Sequence, residues 1–336
     1  MTLPKRQAGL VWLYAGLIGL MGLLLFWLAG ASEGVRFSDR LERFAIDTYD
    51  AVLLFALGFL LLEIGNDVLT GRFSAARLLE TGSSLLTQVP YYFAEGVAFV
   101  LALTLYFGLA QWVPWSAPNT LLTFALVLLA ADLVYYIEHR CMHRVRLLWL
   151  AHSVHHSSDV MNTATAFRFS VFDPFITLLF HLPLILLGVD PVLLLAAEIL
   201  VQAYQLWLHN EMIGKLGPLE WVFNTPSHHR VHHGSDPQYI DKNYGGILIL
   251  WDRLFGTFAE EQQTPRYGLT TAMTSINPVT VQFYEFPRLW RDLRRAPAGQ
   301  RWALLVKPPG WAPHEAPPNK PAEIATKSVP PGGEAR

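Results

Sequence analysis

The sequence predicts an all-α fold: a polytopic membrane scaffold of helices that carries a histidine-rich metal cap on its cytoplasmic side. Three observations predict it. Apolar residues make up 52% of the 336 residues and charged ones only 15%, too little polar surface for a soluble enzyme of this length. Several apolar runs approach the about 20 residues that a helix needs to cross a bilayer. Finally, 11 of the 12 histidines fall between His139 and His233, and neutral imidazole is a common ligand of borderline transition metals.

The first apolar run, Leu10 to Ala29, follows Lys5 and Arg6 and has no small-x-small cleavage site before Glu33, so it reads as a retained membrane helix rather than a removed signal peptide. Further runs cover Tyr49 to Leu62, Tyr91 to Val113 and Leu121 to Ile137. The second is the weakest unless it extends at either end. A long apolar stretch, Val171 to Leu208, is divided by Gly188, Asp190 and Pro191, and reads either as two crossings or as a hairpin that dips into the membrane. The expected scaffold is therefore four main spans plus this paired segment. With Lys5 and Arg6 in the cytoplasm, an even number of crossings returns Arg72, Arg77, Arg140, Arg144, Arg146, Lys215, Arg230, Lys242 and Arg253 to the same face, which agrees with the positive-inside bias. Every histidine group then faces the cytoplasm. The chain is expected to be integral to the membrane, the inner membrane if the source is bacterial.

A net charge of -2 gives no global electrostatic case for nucleic acid, and no nucleic-acid partner is expected. One cysteine, Cys141, excludes an intramolecular disulfide framework and any all-thiolate metal site within the chain. No internal repeat, phosphate-binding glycine loop, nucleotide fingerprint or EF-hand pattern is present. The run Arg291-Asp-Leu-Arg-Arg295 reads as a solvated face or a contact with anionic headgroups. Prolines and glycines accumulate after it, so the expected division is a membrane-embedded catalytic domain over 1–296 and a tail without a packed core over 297–336.

His139 and His143 stand at i,i+4 and share a helix face. Asp132, seven residues earlier, falls on that face too. Within so apolar a span it must be paired, either as the acceptor that orients a ligand imidazole or as a packing partner near the interface. Glu138 points away from His139. The second group, His152, His155 and His156, combines i,i+3 with i,i+4, and His229, His232 and His233 repeat that geometry beside His228. Together they can converge on one or two metal ions. His209, at the end of the long apolar stretch, returns at the right boundary to join them, whereas His181 and His314 are left out. Tyr135, Tyr136 and Trp207 read as lipid-entrance residues or as aromatic anchors.

At these groups the chain resembles the membrane fatty acid hydroxylase superfamily, which includes sterol desaturases, sterol C4-methyl oxidases and alkylglycerol monooxygenases. The resemblance covers roughly Leu121 to Phe258, where His139 and His143, His152, His155 and His156, and His229, His232 and His233 match the histidine boxes. It implies two Fe ions that activate dioxygen at the cytoplasmic membrane face. The stretch from Leu216 through Asn224 to His233, followed by Ile240-Asp-Lys-Asn-Tyr-Gly-Gly246 and Trp251-Asp-Arg-Leu-Phe-Gly-Thr257, is most similar to the alkylglycerol monooxygenase branch. Hydroxylation of a lipid C–H bond, with cleavage of an ether lipid, is the expected reaction.

The implied partners are a membrane lipid, dioxygen and a separate reductase or small-molecule reductant, because no haem-binding domain or flavin fingerprint is visible. The closer resemblance makes tetrahydrobiopterin a candidate donor. Hydroxylation or desaturation of a sterol or fatty acid is the alternative, since the outcomes share the metal chemistry and differ in substrate placement. A zinc-dependent membrane hydrolase is the alternative of another class; it commonly needs only three protein ligands plus water and leaves most of these imidazoles unexplained.

Overall fold

The computed structural model describes residues 37–271 and 273–313. The expected span Leu10 to Ala29, its preceding basic residues and His314 lie outside the described residues. Three long helices lead the fold: α1 (Phe37–Leu69), α2 (Ala75–Ala110) and α3 (Leu121–Arg144). Among the described residues, α2 and α3 are the helices both long and apolar enough to cross a membrane. The weak second run forms the middle of α1, whose N-terminal half carries Asp39, Arg40, Glu42 and Arg43. Within the described residues, two of the three expected crossings therefore meet the criterion. Both leave large apolar side chains exposed, among them Phe93, Val97, Val100, Leu122 and Leu126. An isolated water-soluble helix pair would bury such faces; these suit a lipid surround.

The divided stretch resolves into a hairpin. After the short helix α4 (Arg146–His152), α5 (Asp173–Leu186) and α6 (Pro191–Leu206) have 14 and 16 residues. At about 1.5 Å per residue they span roughly 21 and 24 Å, short of the about 30 Å hydrocarbon core. Gly188 turns the chain at φ +85°, and a Cβ there would lie 2.5 Å from Trp115 Cδ1, so the tight fit excludes a side chain. Asp190 then caps α6 by accepting from Val192 N at 2.8 Å. The hairpin packs against α3 through an apolar core that includes Phe124, Val127, Ala131, Ile185, Leu193 and Leu194.

The cap gathers at the C-terminal end of α3 and the N-terminal end of α2. It contains α4, 3-10 turns at His155–Ser157 and Thr163–Phe167, α7 (Pro226–His232), α8 (Leu250–Phe255), α9 (Pro278–Phe283), α10 (Phe286–Arg295) and α11 (Arg301–Val306). No strand occurs among the described residues, only an antiparallel bridge between Phe223 and Leu248. Packing continues beyond the expected boundary at 296. Leu304 is buried, Arg146 N donates to Lys307 O at 3.0 Å, and the Arg146 guanidinium pairs with Asp292. The early part of the expected tail is thus a strap across α4, and the charged run contributes one of its anchors.

Candidate metal centre

The histidine groups converge on two adjoining clusters. His139, His143, His152, His156 and His232 form one; His155, His209, His229 and His233 form the other, with the ligand-type nitrogens in each within 4.8 Å of one another. All nine are buried. In the first cluster the Nε2 atoms of His139 and His152 approach to 2.9 Å and those of His143 and His156 to 3.2 Å. In the second, His229 and His209 approach to 2.8 Å and His209 and His155 to 3.1 Å. The clusters abut through His156 and His233, whose ring centres are 4.4 Å apart.

Spacing explains the partition. Residues four apart on a helical turn diverge by about 40°, whereas the residue three along falls about 60° to the other side. Accordingly His139 and His143 share a cluster, as do His152 and His156, and His229 and His233. The i+3 residues, His155 and His232, each cross into the opposite cluster. Both three-histidine groups therefore stitch the two clusters together.

One loop orients much of the first cluster. His139 Nδ1 donates to Tyr244 O at 2.9 Å and His232 Nδ1 donates to Lys242 O at 2.9 Å. A carbonyl can only accept, so both rings carry the proton on Nδ1 and turn the Nε2 lone pair inward. Asp241 Oδ1 lies 3.6 Å from His143 Nδ1, and its other oxygen accepts from Arg144 at 2.6 Å. Three residues of one short stretch thus serve three imidazoles. Asp241 and Asn243 reach this arrangement at φ +58° and +56°, in the left-handed region. Asn243 secures the turn by donating to Ala259 O and His228 O while accepting from Ala259 N.

Asp132 acts one step further out than the sequence suggested. It meets no imidazole; its carboxylate accepts from Ile247 N at 2.6 Å, Leu248 N at 3.1 Å and Trp251 Nε1 at 2.8 Å. Seven residues return nearly to the same helix face but also advance about 10 Å along the axis, which puts His139 out of reach. Asp132 instead anchors the loop whose carbonyl holds His139. Asp252 completes the anchor by accepting from Tyr244 N and Gly245 N. A Cβ on Gly246 would lie 2.7 Å from Asp132 Oδ1, and one on Gly245 would lie 2.5 Å from Leu248 O. The sequence offers this loop only through its resemblance, because backbone carbonyls carry no residue-type signal.

The second histidine group is braced by Arg168, which is fully buried. Its guanidinium pairs with Glu80 at 2.9 Å and donates to Ser157 Oγ at 2.8 Å, tying the His155–Ser157 turn to α2. Burial holds His152, His155, His156, His229, His232 and His233 well below the ordinary imidazole pKa, and takes His209 down to about 4. These rings are neutral near pH 7, as metal ligands must be. Paired with His143 and Arg144, the Asp241 carboxyl falls to about 2, so it stays ionised. His228 joins neither cluster; its ring packs edge-on against Phe258, 5.4 Å between centres. His181 is also apart, donating from Nδ1 to Thr177 O within the hairpin.

A cavity of 670 Å³ runs from His139, His152, His155 and His209 between α2 and the hairpin. Phe99, Ala102, Phe167 and Leu206 contribute to its predominantly apolar wall. Tyr135 lines it, whereas Tyr136 faces the cap and hydrogen-bonds with Thr257 at 3.0 Å, and Trp207 packs beside Leu208 and Ile213. Of the three aromatic residues singled out in the sequence, one therefore borders the cavity.

Residues 124–257 match the family model described as Fatty acid hydroxylase. Over 203 residues the chain is 43% identical to an alkylglycerol monooxygenase of Danio rerio, a match covering 60% of this chain and 44% of that protein. The alkylglycerol monooxygenase of Homo sapiens is 40% identical over 202 residues, with the same two shares. The ornithine lipid hydroxylase OlsE of Rhizobium tropici is 34% identical over 134 residues, 40% of each chain. The chain spans less than half the length of these relatives. No solved structure matches it.

Proposed function

From the match of residues 124–257 to the fatty acid hydroxylase family model we propose that the chain is an integral membrane di-iron oxygenase acting on an ether lipid. It hydroxylates the carbon beside the ether oxygen, and the product splits into an aldehyde and an alcohol. One observation carries this reading: two abutting clusters of neutral, buried imidazoles open on an apolar cavity large enough for a lipid chain.

The donor set fits two irons. His139, His143, His152, His156 and His232 would hold one, and His155, His209, His229 and His233 the other; His228 is left out of the set. When bound, the irons supply reduction of dioxygen and its use against an unactivated C–H bond. The chain's part is positioning. The Lys242 and Tyr244 carbonyls keep two Nε2 lone pairs turned inward, and the cavity wall keeps water from the reacting carbon. A zinc hydrolase would leave most of nine convergent imidazoles without a task.

The basic residues of the cap, including Arg140, Arg144, Arg230 and Lys242, favour a cytoplasmic orientation, at the inner membrane if the source is bacterial. Electrons come from a separate reductase or a small reductant, with tetrahydrobiopterin a candidate on the strength of the alkylglycerol monooxygenase resemblance. The test is incubation of the iron-loaded protein with mixed membrane lipids, reductant and labelled dioxygen. About two irons per chain and label in an aldehyde or hydroxylated ether lipid are expected. A labelled sterol or fatty-acid alcohol moves the substrate assignment, a desaturated lipid without label requires a desaturase, and zinc with hydrolysis products overturns the reading.

A further inference from the structure

The strap that closes the cap carries side chains that neither the metal centre nor the cavity uses. α9 ties it to the mouth of the hairpin: Gln282 Nε2 donates to Phe169 O at 2.7 Å, and Gln282 Oε1 accepts from Val171 N at 3.2 Å. Phe286, which opens α10, then packs on Phe172, 5.7 Å between ring centres, where α5 enters the apolar scaffold. α10 thus starts level with the end of the hairpin that meets the cap. Its two sides differ. Leu289 is buried and Asp292 pairs with the Arg146 guanidinium, which sets one side against α4. At about 100° per residue, Trp290, Arg294, Arg291 and Arg295 fall in one sector of the other side, and all four are exposed. The three guanidiniums have no acidic partner on the helix, because Asp292 is held by Arg146 and Glu285 by Arg288. Trp290 is 59% exposed with the Arg294 guanidinium 4.9 Å from its ring centre, and Trp302 of α11 is 71% exposed. Phe283 and Val279 continue this exposed apolar margin along α9.

We propose that this face of α10, with Trp302, lies on the cap-side leaflet and binds anionic phospholipid headgroups. Large apolar side chains beside a basic stripe suit the boundary between headgroups and acyl chains, and indole is favoured at that level. The occupant follows from charge: three exposed guanidiniums with no carboxylate of their own helix nearby complement a negative surface. Each basic side chain close to such a surface favours association by about fivefold. A zwitterionic headgroup pairs its phosphate with its own ammonium and offers no net potential, so it gains much less from these residues. The contact also explains why an exposed tryptophan margin persists on a segment tied to the hairpin, since the bilayer covers it.

The contact is read locally in the full chain. Bimane is attached at Ala298→Cys, in the exposed turn between α10 and α11, in a Cys141→Ser background, and the protein is reconstituted in phosphatidylcholine bilayers. Phosphatidylglycerol or phosphatidylcholine carrying a spin label on the acyl chain, a short-range quencher, is then titrated in. Half-maximal quenching is expected at a fraction of phosphatidylglycerol at least about threefold lower than that of phosphatidylcholine, and raised salt should shrink the difference. Arg291→Gln, Arg294→Gln and Arg295→Gln together should abolish the preference, whereas the three corresponding lysine substitutions should keep it. Quenching by neither lipid, a preference below about threefold, or one that survives the three glutamines overturns the proposal. Its loss in the lysine variant does so too, because that would trace the preference to the shape of the strap instead of its charge. The measurement uses neither iron nor turnover, so the oxygenase reading stands or falls apart from it.

Discussion

The two histidine clusters differ in what stands behind their rings. In the five-histidine cluster, His139, His143 and His232 face polar groups supplied by Asp241, Lys242 and Tyr244 of one loop. In the four-histidine cluster, His209 donates only to Gln205 O, one turn earlier on its own segment. His155 lies flat on Phe169, 5.4 Å between centres with 5° between planes, and His229 Nδ1 has no hydrogen bond. Hydrogen bonds fix both the tautomer and the direction of a ring, whereas stacking fixes its plane alone. The first cluster is preorganised by a distant loop; the second is set by packing and can adapt.

The largest effect tests whether the clusters are separate sites. His232→Ala and His209→Ala should each remove about one of two irons and lower lipid oxidation by more than about 100-fold, beyond the 10–100-fold usual for groups that merely orient a ligand. Iron counted by elemental analysis beside turnover checks this. Equal loss of both irons in both variants would merge the clusters into one cooperative site.

The next effect concerns the loop. Asn243→Gly keeps the left-handed backbone accessible but deletes the side-chain bonds to His228 O and Ala259 O, while Asn243→Ala adds backbone strain. Both should weaken metal binding in the five-histidine cluster by about 10–100-fold and leave the other nearly unchanged. Chelator competition with cobalt, read spectroscopically, resolves the two affinities. Equal weakening of both clusters would remove the proposed asymmetry.

Much of this arrangement was legible from residue type and spacing. The nine clustered imidazoles were all named from their pattern, and the i,i+4 and i,i+3 offsets contain the partition once a short helical turn is granted. His228 matched by adjacency alone, but in α7 its neighbour His229 takes the inward face and leaves it against Phe258. The angular phase of Asp132 was readable; its distance from His139 was the decisive quantity. The supporting carbonyls of Lys242 and Tyr244 were not readable, because every residue has one and only the fold aims it. The strap across α4 was hidden by the proline-rich composition that follows it, and the buried Leu304 marks its hold.

Acid should separate the clusters by a smaller margin. Folded imidazoles held below about 6.5 refuse protons that the unfolded chain accepts, so their contribution to stability is fully present above that pH. It is lost as pH falls through the window toward about 4, the value for His209. The metal-free protein should show a melting temperature that is level above about pH 7 and falls below about 6.5. Within that window Asp241, whose pKa is about 2, remains ionised beside His143. The four-histidine cluster has no such carboxylate and should release metal at the higher pH. Simultaneous release would show that the carboxylate does not distinguish them.

The smallest effect isolates packing. Phe169 stacks on His155 and also packs against Tyr91, 5.1 Å between centres. Phe169→Leu keeps an apolar wall but removes the flat surface that sets the His155 plane. Aromatic contacts of this kind contribute about 0.5–1.5 kcal/mol, so metal affinity in the four-histidine cluster should fall by about 2–10-fold. The five-histidine cluster, oriented by Asp241, Lys242 and Tyr244, should keep its affinity. Cobalt titration of both clusters in one sample makes the comparison internal. A loss confined to the five-histidine cluster would reverse the assignment, because it would mean that His155 transmits its orientation through His152 or His156 instead of to its own metal.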